Sequence, residues 1–217
     1  MTTLHPKKNE HGGPCVIAVP TRPTPAGSWH DPAAIATVVP GGAMPAELNG
    51  IALRPWVAAP RDDAGWDAVA GQDAGEFAEP AFVPAPGKRI AAGVVIEEPD
   101  GRVWVVHPSN AHGGYPATFP KGTKDGGVSL RATAIREAYE ESGLQVELTA
   151  YLLDAVRSMS KTRYYLGRRV GGCPSDMGWE SQAVSLVPRA LLHALLANPN
   201  DAPLVAMLVT GSKSGQP

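Results

Sequence analysis

GTKDGGVSLRATAIREAYEESGL, residues 122–144, predicts a single helix behind a glycine-rich loop. Ser129 can cap the start of this helix by accepting a hydrogen bond from a free backbone N–H group. Gly143 lies where a left-handed residue would end it. Between these two positions, apolar side chains recur near helical spacing, at Leu130, Ala134, Ile135 and Ala138.

Three glutamates, Glu137, Glu140 and Glu141, lie in the second half of this helix, where the helix dipole disfavours negative charge. Glu137 and Glu141 are four residues apart, and such a like-charge pair costs about 0.2–0.5 kcal/mol. One interpretation is an exposed face, with Arg131 and Arg136 as counter-charges. The other is a cluster of oxygen ligands for Mg²⁺ or Mn²⁺, with water and substrate phosphates completing the shell.

The spacing of these residues resembles the Nudix box. In that family motif a glycine is followed after five residues by a glutamate, and after seven more by Arg-Glu-aliphatic-any-Glu-Glu-any-Gly-aliphatic. Gly122 and REAYEESGL at residues 136–144 match the motif, whereas Val128 stands where the family has its first glutamate. The resemblance implies an α/β fold, a Nudix-like α/β/α sandwich with a mixed sheet. It also implies a hydrolase that cleaves nucleoside diphosphates linked to another group with the help of a divalent cation.

The resemblance also implies roles for individual residues. Glu137, Glu140 and Glu141 would ligate Mg²⁺ or Mn²⁺, and the backbone carbonyl of Lys121 would complete the site. Arg136 would orient Glu137 through a charge-assisted hydrogen bond. These roles make Arg136 and Glu137 the first two candidate catalytic residues.

Glu180 is the third candidate catalytic residue. Many members of the family add a glutamate from a later loop or strand, as a ligand or a general base. Glu180 begins a predicted strand 37 residues after Gly143, which suits this role. The sequence leaves open whether Glu137 or Glu180 activates the attacking water.

Candidate substrate contacts lie before and after the motif. The segment Phe119–Gly122 resembles the Pro-Lys-Gly entry of family members that act on dinucleoside polyphosphates and related polyphosphates. The Lys121 side chain can hold an extra phosphate. On a later strand Arg163 can bind phosphate, while Tyr164 or Tyr165 stacks on a base. An ordinary strand with a buried aromatic face explains these last three residues equally well.

The sequence leaves more than one interpretation open for both the substrate and the activity. A dinucleoside polyphosphate or an ADP-ribose-like compound is the favoured substrate. Val128 and the unexplained N-terminal segment leave room for a catalytically weak nucleotide-binding or regulatory module. The basic segment 161–169 raises RNA-end processing as a third interpretation, which the overall acidity opposes.

The rest of the chain divides into two parts. Residues 1–86 hold short apolar runs between prolines and predict a loop-rich extension with short strands, whose Trp29, Trp56 and Trp66 are expected to pack on a neighbouring surface. Residues 87–217 form the predicted Nudix domain. It begins with a hairpin of strands at 90–96 and 102–107, and it continues after the helix with strands at 144–157, 162–170 and 180–187, a helix at 188–197 and an ambiguous segment at 201–209.

Composition limits the class of protein. The chain has 217 residues, of which 43% are hydrophobic, enough to fill a core. A net charge of −2 gives no general field for nucleic acid or for an acidic membrane. Two cysteines, no signal peptide and no apolar run of about 18 residues predict a cytoplasmic protein. The expected partner is a small-molecule nucleotide substrate, and a homodimer stays open.

Overall fold

The computed structural model describes residues 3–210, which contain eleven strands and four α-helices. The strands are β1 (Thr3–Leu4), β2 (Val16–Ile17), β3 (Ala36–Val38), β4 (Glu47–Leu48), β5 (Ile51–Ala52), β6 (Arg89–Glu97), β7 (Arg102–Pro108), β8 (Lys121–Thr123), β9 (Leu144–Val156), β10 (Ser160–Gly172) and β11 (Ser181–Pro188). The α-helices are α1 (Asp63–Asp67), α2 (Leu130–Ser142), α3 (Leu192–Leu195) and α4 (Ala202–Thr210). Short 3-10 helices lie at Ala26–His30, Ser109–Gly114, Pro174–Asp176 and Arg189–Leu191.

A seven-stranded mixed sheet forms the centre of the protein. Its strand order is β3-β11-β7-β6-β10-β9, and β8 pairs with β6 beside this path. Strand β10 runs parallel to β6, whereas the other pairs are antiparallel. The predicted hairpin is confirmed as β6 and β7, and the long strands after α2 are confirmed as the β9–β10 hairpin.

Helices cover both faces of the sheet. Because successive side chains of a strand point to opposite faces, Val94 and Ile96 pack with α2, whereas Val95 packs with α3 and α4. Strand β7 divides in the same way, with Trp104 on the α2 side and Val103 on the other. The predicted α/β/α sandwich with a mixed sheet is confirmed.

Helix α2 begins and ends as its sequence predicts. The Ser129 side chain accepts a hydrogen bond from the Ala132 N–H at 3.0 Å. Gly143 follows the last helical residue with a φ of 70°, and a Cβ there would overlap the carbonyl oxygen of Cys173. A glycine is therefore required on both conformational and steric grounds.

The last part of the chain differs from its predicted structure. A helix over 188–197 is wrong in extent, since Pro188 ends β11 in an extended conformation and only Leu192–Leu195 are α-helical. The ambiguous segment at 201–209 forms α4. The first residues of the predicted glycine-rich loop, Gly122 and Thr123, belong instead to strand β8, which forms by pairing with β6.

The N-terminal segment packs closely on the central sheet. Strand β3 pairs with β11 at one edge, and at the other edge the Leu148 N–H of β9 donates to the Gly71 carbonyl at 2.7 Å. The predicted burial of Trp29 and Trp66 is confirmed, while Trp56 is partly buried. Within residues 3–210, helices long and apolar enough to span a membrane are absent.

Candidate active site

Two carboxylates of α2 face strand β8 from successive helical turns. Glu137 and Glu141 are only 6% and 8% exposed to solvent, whereas the side chain of neighbouring Glu140 is 50% exposed. The Lys121 N–H of β8 donates to Oε2 of Glu141 at 2.9 Å. The start of β8 therefore holds one of these carboxylates directly.

Gly122 is the residue that lets β8 approach the helix. A Cβ at this position would overlap the Glu137 carboxylate. The glycine that opens the motif therefore makes room for the first glutamate of the helix, although fifteen residues separate them in the sequence. Backbone and carboxylate meet here because the intervening loop returns the chain to its own helix.

Arg136 connects the loop to the carboxylates. Its Nη2 donates to Oε1 of Glu137 at 3.1 Å and to the Thr123 carbonyl at 3.0 Å, while Nη1 pairs with Asp125. Its Nε lies 3.7 Å from Oε2 of Glu140. The hydrogen bond to Glu137 is the contact that an orienting role requires. Sequence reasoning missed Asp125, since nothing in the local pattern links it to an arginine eleven residues later.

The carboxylates of α2 carry more negative charge than their surroundings balance. Burial, followed by the charges of Glu141 and Glu140, raises the pKa of Glu137 well above its usual value. Burial also raises the pKa of Glu141 to about 7, although Lys121 opposes that shift. A bound cation would stabilise the ionised form of both groups.

The donor set fits a hard divalent cation, because every candidate ligand is an oxygen atom. Among residues 3–210, no three His, Cys, Asp or Glu side chains form a ready-made metal cage. Mg²⁺ does not require one, since it commonly takes one or two carboxylates and completes its shell with water and substrate phosphates. Glu137 and Glu141 provide that number, with Glu140 beside them.

A metal-free preparation is expected to lose stability as pH rises, because the folded state disfavours ionised Glu141. The effect begins near the usual carboxyl pKa and levels off above the folded-state pKa of about 7. At about 1.4 kcal/mol for each pH unit, it is on the order of 3 kcal/mol. We expect Glu141→Gln to gain free energy of unfolding over wild type from pH 5 to 8, as measured by urea denaturation in EDTA. A constant difference across that range would contradict the prediction.

Glu180 stands on the same side of the molecule, directly before β11. Its charge raises the pKa of both Glu140 and Glu141. The pKa of Glu180 itself is raised, mainly by partial desolvation and also by the charge of Glu10. The charges of His112 and Lys121 oppose this shift. Glu180 is exposed, and its charge interacts with two carboxylates of α2.

Lys121 remains close to these charges. Its residue is half-buried, its Nζ lies 5.2 Å from the centre of the Tyr115 ring, and its charge acts on Glu141 and Glu180. The Lys121 ammonium group is thus within electrostatic reach of both carboxylates.

Arg163, Tyr164 and Tyr165 are core residues, so the predicted substrate contacts on β10 are corrected. Arg163 forms ion pairs with Asp154 at 2.7 Å and with Glu79 at 3.1 Å. Both tyrosines are fully buried, on opposite faces of the sheet. Alternation along a strand makes one of two adjacent tyrosines face each helical layer, and here both layers are closed.

Val128 is 1% exposed and packs in the apolar core beside α2. We expect Val128→Glu to lower the free energy of unfolding by about 3 kcal/mol, because a carboxylate would be buried without a partner. Urea denaturation measures this. Val83→Glu is the matched control, since Val83 is 64% exposed. Undiminished stability with raised metal-dependent turnover would show instead that position 128 reaches the metal site.

The family model described as the NUDIX domain matches residues 87–208. An RNA pyrophosphohydrolase of Caulobacter vibrioides is 42% identical over 64 residues, a match that spans 29% of this chain and only 37% of that protein.

Solved structures with similar folds include two enzymes. An Ap4A hydrolase of C. elegans is 19% identical, covering 56% of this chain and 95% of its own, with a TM-score of 0.47. An ADP-ribose pyrophosphatase of Streptococcus suis is 21% identical, covering 59% and 94%, with a TM-score of 0.44. Since the family model matches more than half of its residues, the chain belongs to the Nudix family.

Proposed function

We propose that this protein is a Mg²⁺- or Mn²⁺-dependent hydrolase that cleaves the pyrophosphate linkage of a nucleoside diphosphate joined to another group. One observation carries the proposal: two buried carboxylates on successive turns of α2 face β8 with incomplete charge compensation. A structural helix gains nothing from this arrangement, whereas a divalent cation resolves it.

The metal would be held by Glu137 and Glu141, with Glu140 and the Lys121 carbonyl as further ligands. When bound, the cation neutralises phosphate oxygens and makes water more acidic. Arg136 restricts the rotamers of Glu137 through their hydrogen bond of 3.1 Å. The Lys121 ammonium group attracts a phosphate of the substrate next to these ligands.

Glu180 is the proposed general base. Glu137 is buried and bonded to Arg136, whereas Glu180 is exposed beside the same cluster. Its carboxylate would take the proton of the attacking water while the oxygen bonds to phosphorus. The bond from phosphorus to the bridging oxygen breaks, and the second phosphate leaves with that oxygen.

A small-molecule nucleotide is the proposed substrate. The position of Lys121 favours dinucleoside polyphosphates, which carry an additional phosphate, and ADP-ribose-like compounds are the other favoured class. The name of the Caulobacter relative makes an RNA 5′ end a further candidate. The basic segment 161–169 does not support it, because its charges are already engaged. Arg163 and Arg169 are buried in ion pairs, Arg168 pairs with Glu147, and Lys161 donates to the Val83 carbonyl.

The test is phosphate release, with Mg²⁺, with Mn²⁺ or with EDTA, from a panel of substrates. The panel holds diadenosine polyphosphates, ADP-ribose, nucleotide sugars and a 5′-triphosphorylated oligonucleotide, coupled to a phosphatase where needed. We expect metal-dependent turnover of one class and none in EDTA. Nucleotide binding without turnover would favour a non-catalytic Nudix module, the alternative that Val128 and the N-terminal segment raise.

We also propose the division into an extension, residues 1–86, and a Nudix domain, residues 87–217, whose last seven residues lie outside the described part of the chain. The family match at 87–208 supports the boundary. A cytoplasmic location is proposed as well, supported by two cysteines that are both free thiols.

A further inference from the structure

Three segments that are distant in the sequence meet around Glu180. They are the N-terminal hairpin (residues 3–18), the loop 109–114 and the segment 174–181 that carries Glu180. In the hairpin β1 pairs with β2, and the tip is closed by the Asn9 N–H, which donates to the Gly13 carbonyl at 2.9 Å. The N-terminal hairpin lies wholly outside the family match.

The N-terminal hairpin is attached to the segment 174–181 on either side of its tip. Before the tip, Lys7 forms an ion pair with Oδ1 of Asp176 at 3.0 Å, and its Nζ also donates to the Asp176 carbonyl. After the tip, the Cys15 thiol donates to the Trp179 carbonyl at 3.7 Å. The hairpin thus contacts the chain just before Glu180 at two points.

Asn110 attaches the same hairpin to the loop 109–114. Its Oδ1 accepts from the Ala18 N–H at 2.7 Å, and its Nδ2 donates to the Val16 carbonyl at 2.8 Å. One side chain therefore satisfies two backbone groups along the free edge of β2. Asn110 has a φ of 56°, a conformation that asparagine tolerates better than most residues.

The loop 109–114 in turn holds Glu180. The Ser109 N–H donates to the Glu180 carbonyl at 2.7 Å, and the Ser109 hydroxyl donates to the Trp179 carbonyl at 2.8 Å. Hydrogen bonds therefore join hairpin to loop and loop to Glu180, and a direct contact joins hairpin to the segment 174–181. Together these contacts link the N-terminal hairpin, the loop 109–114 and the segment 174–181 into a closed ring of contacts next to Glu180.

We propose that the N-terminal hairpin is a positioning element for Glu180, with Lys7 and Asn110 as the positioning residues. This inference rests on the proposed function, in which Glu180 is the general base. Glu180 lies directly before β11, and the Ser109 N–H donates to its carbonyl, so the ring of contacts acts together with the start of β11 to restrict its backbone. Since small displacements of a reacting group can lower a rate by up to about a hundredfold, restriction of Glu180 is expected to matter for turnover.

The variants Asn110→Gly and Lys7→Gln test the proposal in the full-length protein. Glycine removes both side-chain hydrogen bonds and still accepts the left-handed backbone of position 110. Asn49→Gly is the matched control, since Asn49 has a φ of 52° and donates to Glu98 at 2.8 Å on a different hairpin. Arg168→Gln is the control for Lys7, because it removes a similarly exposed ion pair, with Glu147.

We expect the double variant Lys7→Gln/Asn110→Gly to lower kcat about tenfold, with KM and the activating Mn²⁺ concentration unchanged. The effect should vanish in a Glu180→Gln background, because a positioning element has nothing left to position. Equal losses in both backgrounds would overturn the proposal and leave a purely structural hairpin. A similar loss of kcat in the control variants Asn49→Gly and Arg168→Gln would also overturn the proposal.

Amide hydrogen exchange provides a readout that does not depend on turnover. We expect the amides of Ser109 and Ser181 to exchange roughly tenfold faster in the double variant, while amides of α2 keep their wild-type rates. Unchanged exchange at both serines would overturn the inference even in an active enzyme. If wild type turns over nothing in the panel while these amides respond, the proposed function fails and the anchoring of Glu180 stands.

Discussion

Glu137→Gln is expected to lower metal-dependent turnover by a factor of about 10³ or more, while the protein stays folded. Glutamine keeps the shape of the side chain, but it removes the negative charge that binds a cation. The Arg136 contact of 3.1 Å survives, because an amide oxygen also accepts. Measured kcat at saturating Mg²⁺ and at saturating Mn²⁺ tests the prediction.

Stability separates this loss from misfolding. Burial and like charges disfavour ionised Glu137 in the folded state, so its replacement should maintain or raise the melting temperature in EDTA. Glu147→Gln is the matched control. Glu147 lies on β9, outside the site, and forms an ion pair with Arg168 of β10. Wild-type turnover in Glu137→Gln would remove this carboxylate from the proposed metal site.

Gly122→Ala is expected to lower kcat about a hundredfold, through geometry rather than charge. The added Cβ would overlap the Glu137 carboxylate, so either the side chain or β8 must move. Movement of the carboxylate would also loosen its hydrogen bond to Arg136. The concentration of Mn²⁺ needed for half-maximal activity should therefore rise along with the loss of kcat.

Gly126→Ala is the control for this steric argument. It lies four residues later, in the loop that follows β8, and a Cβ at this position has open space around it. Wild-type kinetics for Gly126→Ala and impaired kinetics for Gly122→Ala would locate the requirement at the contact with Glu137. Equal effects of the two substitutions would point to general stiffening of the loop instead.

Local signals were sufficient for α2 and for the candidate ligands. Ser129 and Gly143 act on backbone groups within one helical turn, so their effect is encoded next to them. The carboxylates follow from helical spacing and from the family motif. Their burial against β8 does not, because it depends on a strand that forms only through pairing with β6.

The β10 residues show where sequence reasoning reached its limit. A mixture of basic and aromatic residues predicts an exposed binding strand as readily as a buried one. Arg163 is neutralised by Asp154 and by Glu79, a residue 84 positions away. Only contacts between distant segments distinguish an exposed strand from a buried one. The sequence of a single strand does not reveal those contacts.

The N-terminal segment is the largest feature that sequence reasoning left without a position. Its prolines and glycines predict loops, and its attachment depends on arginines far along the chain. Arg102 donates to the Trp29 carbonyl at 2.7 Å, and Arg169 donates to the Leu48 carbonyl at 2.8 Å. Every segment contains backbone carbonyls, so the residue pattern does not predict which of them accepts a hydrogen bond from a distant arginine.

The sequence by itself determined the helix, its two ends and the spacing of Glu137, Glu140 and Glu141, because short-range hydrogen bonding and helical periodicity depend on neighbouring residues. The family motif added the expected chemistry. Only the tertiary structure decided that Glu137 and Glu141 are buried, that Arg163, Tyr164 and Tyr165 belong to the core and that the N-terminal hairpin reaches Glu180. Burial and long-range contacts arise when distant segments exclude water together, and that is a property of the whole fold.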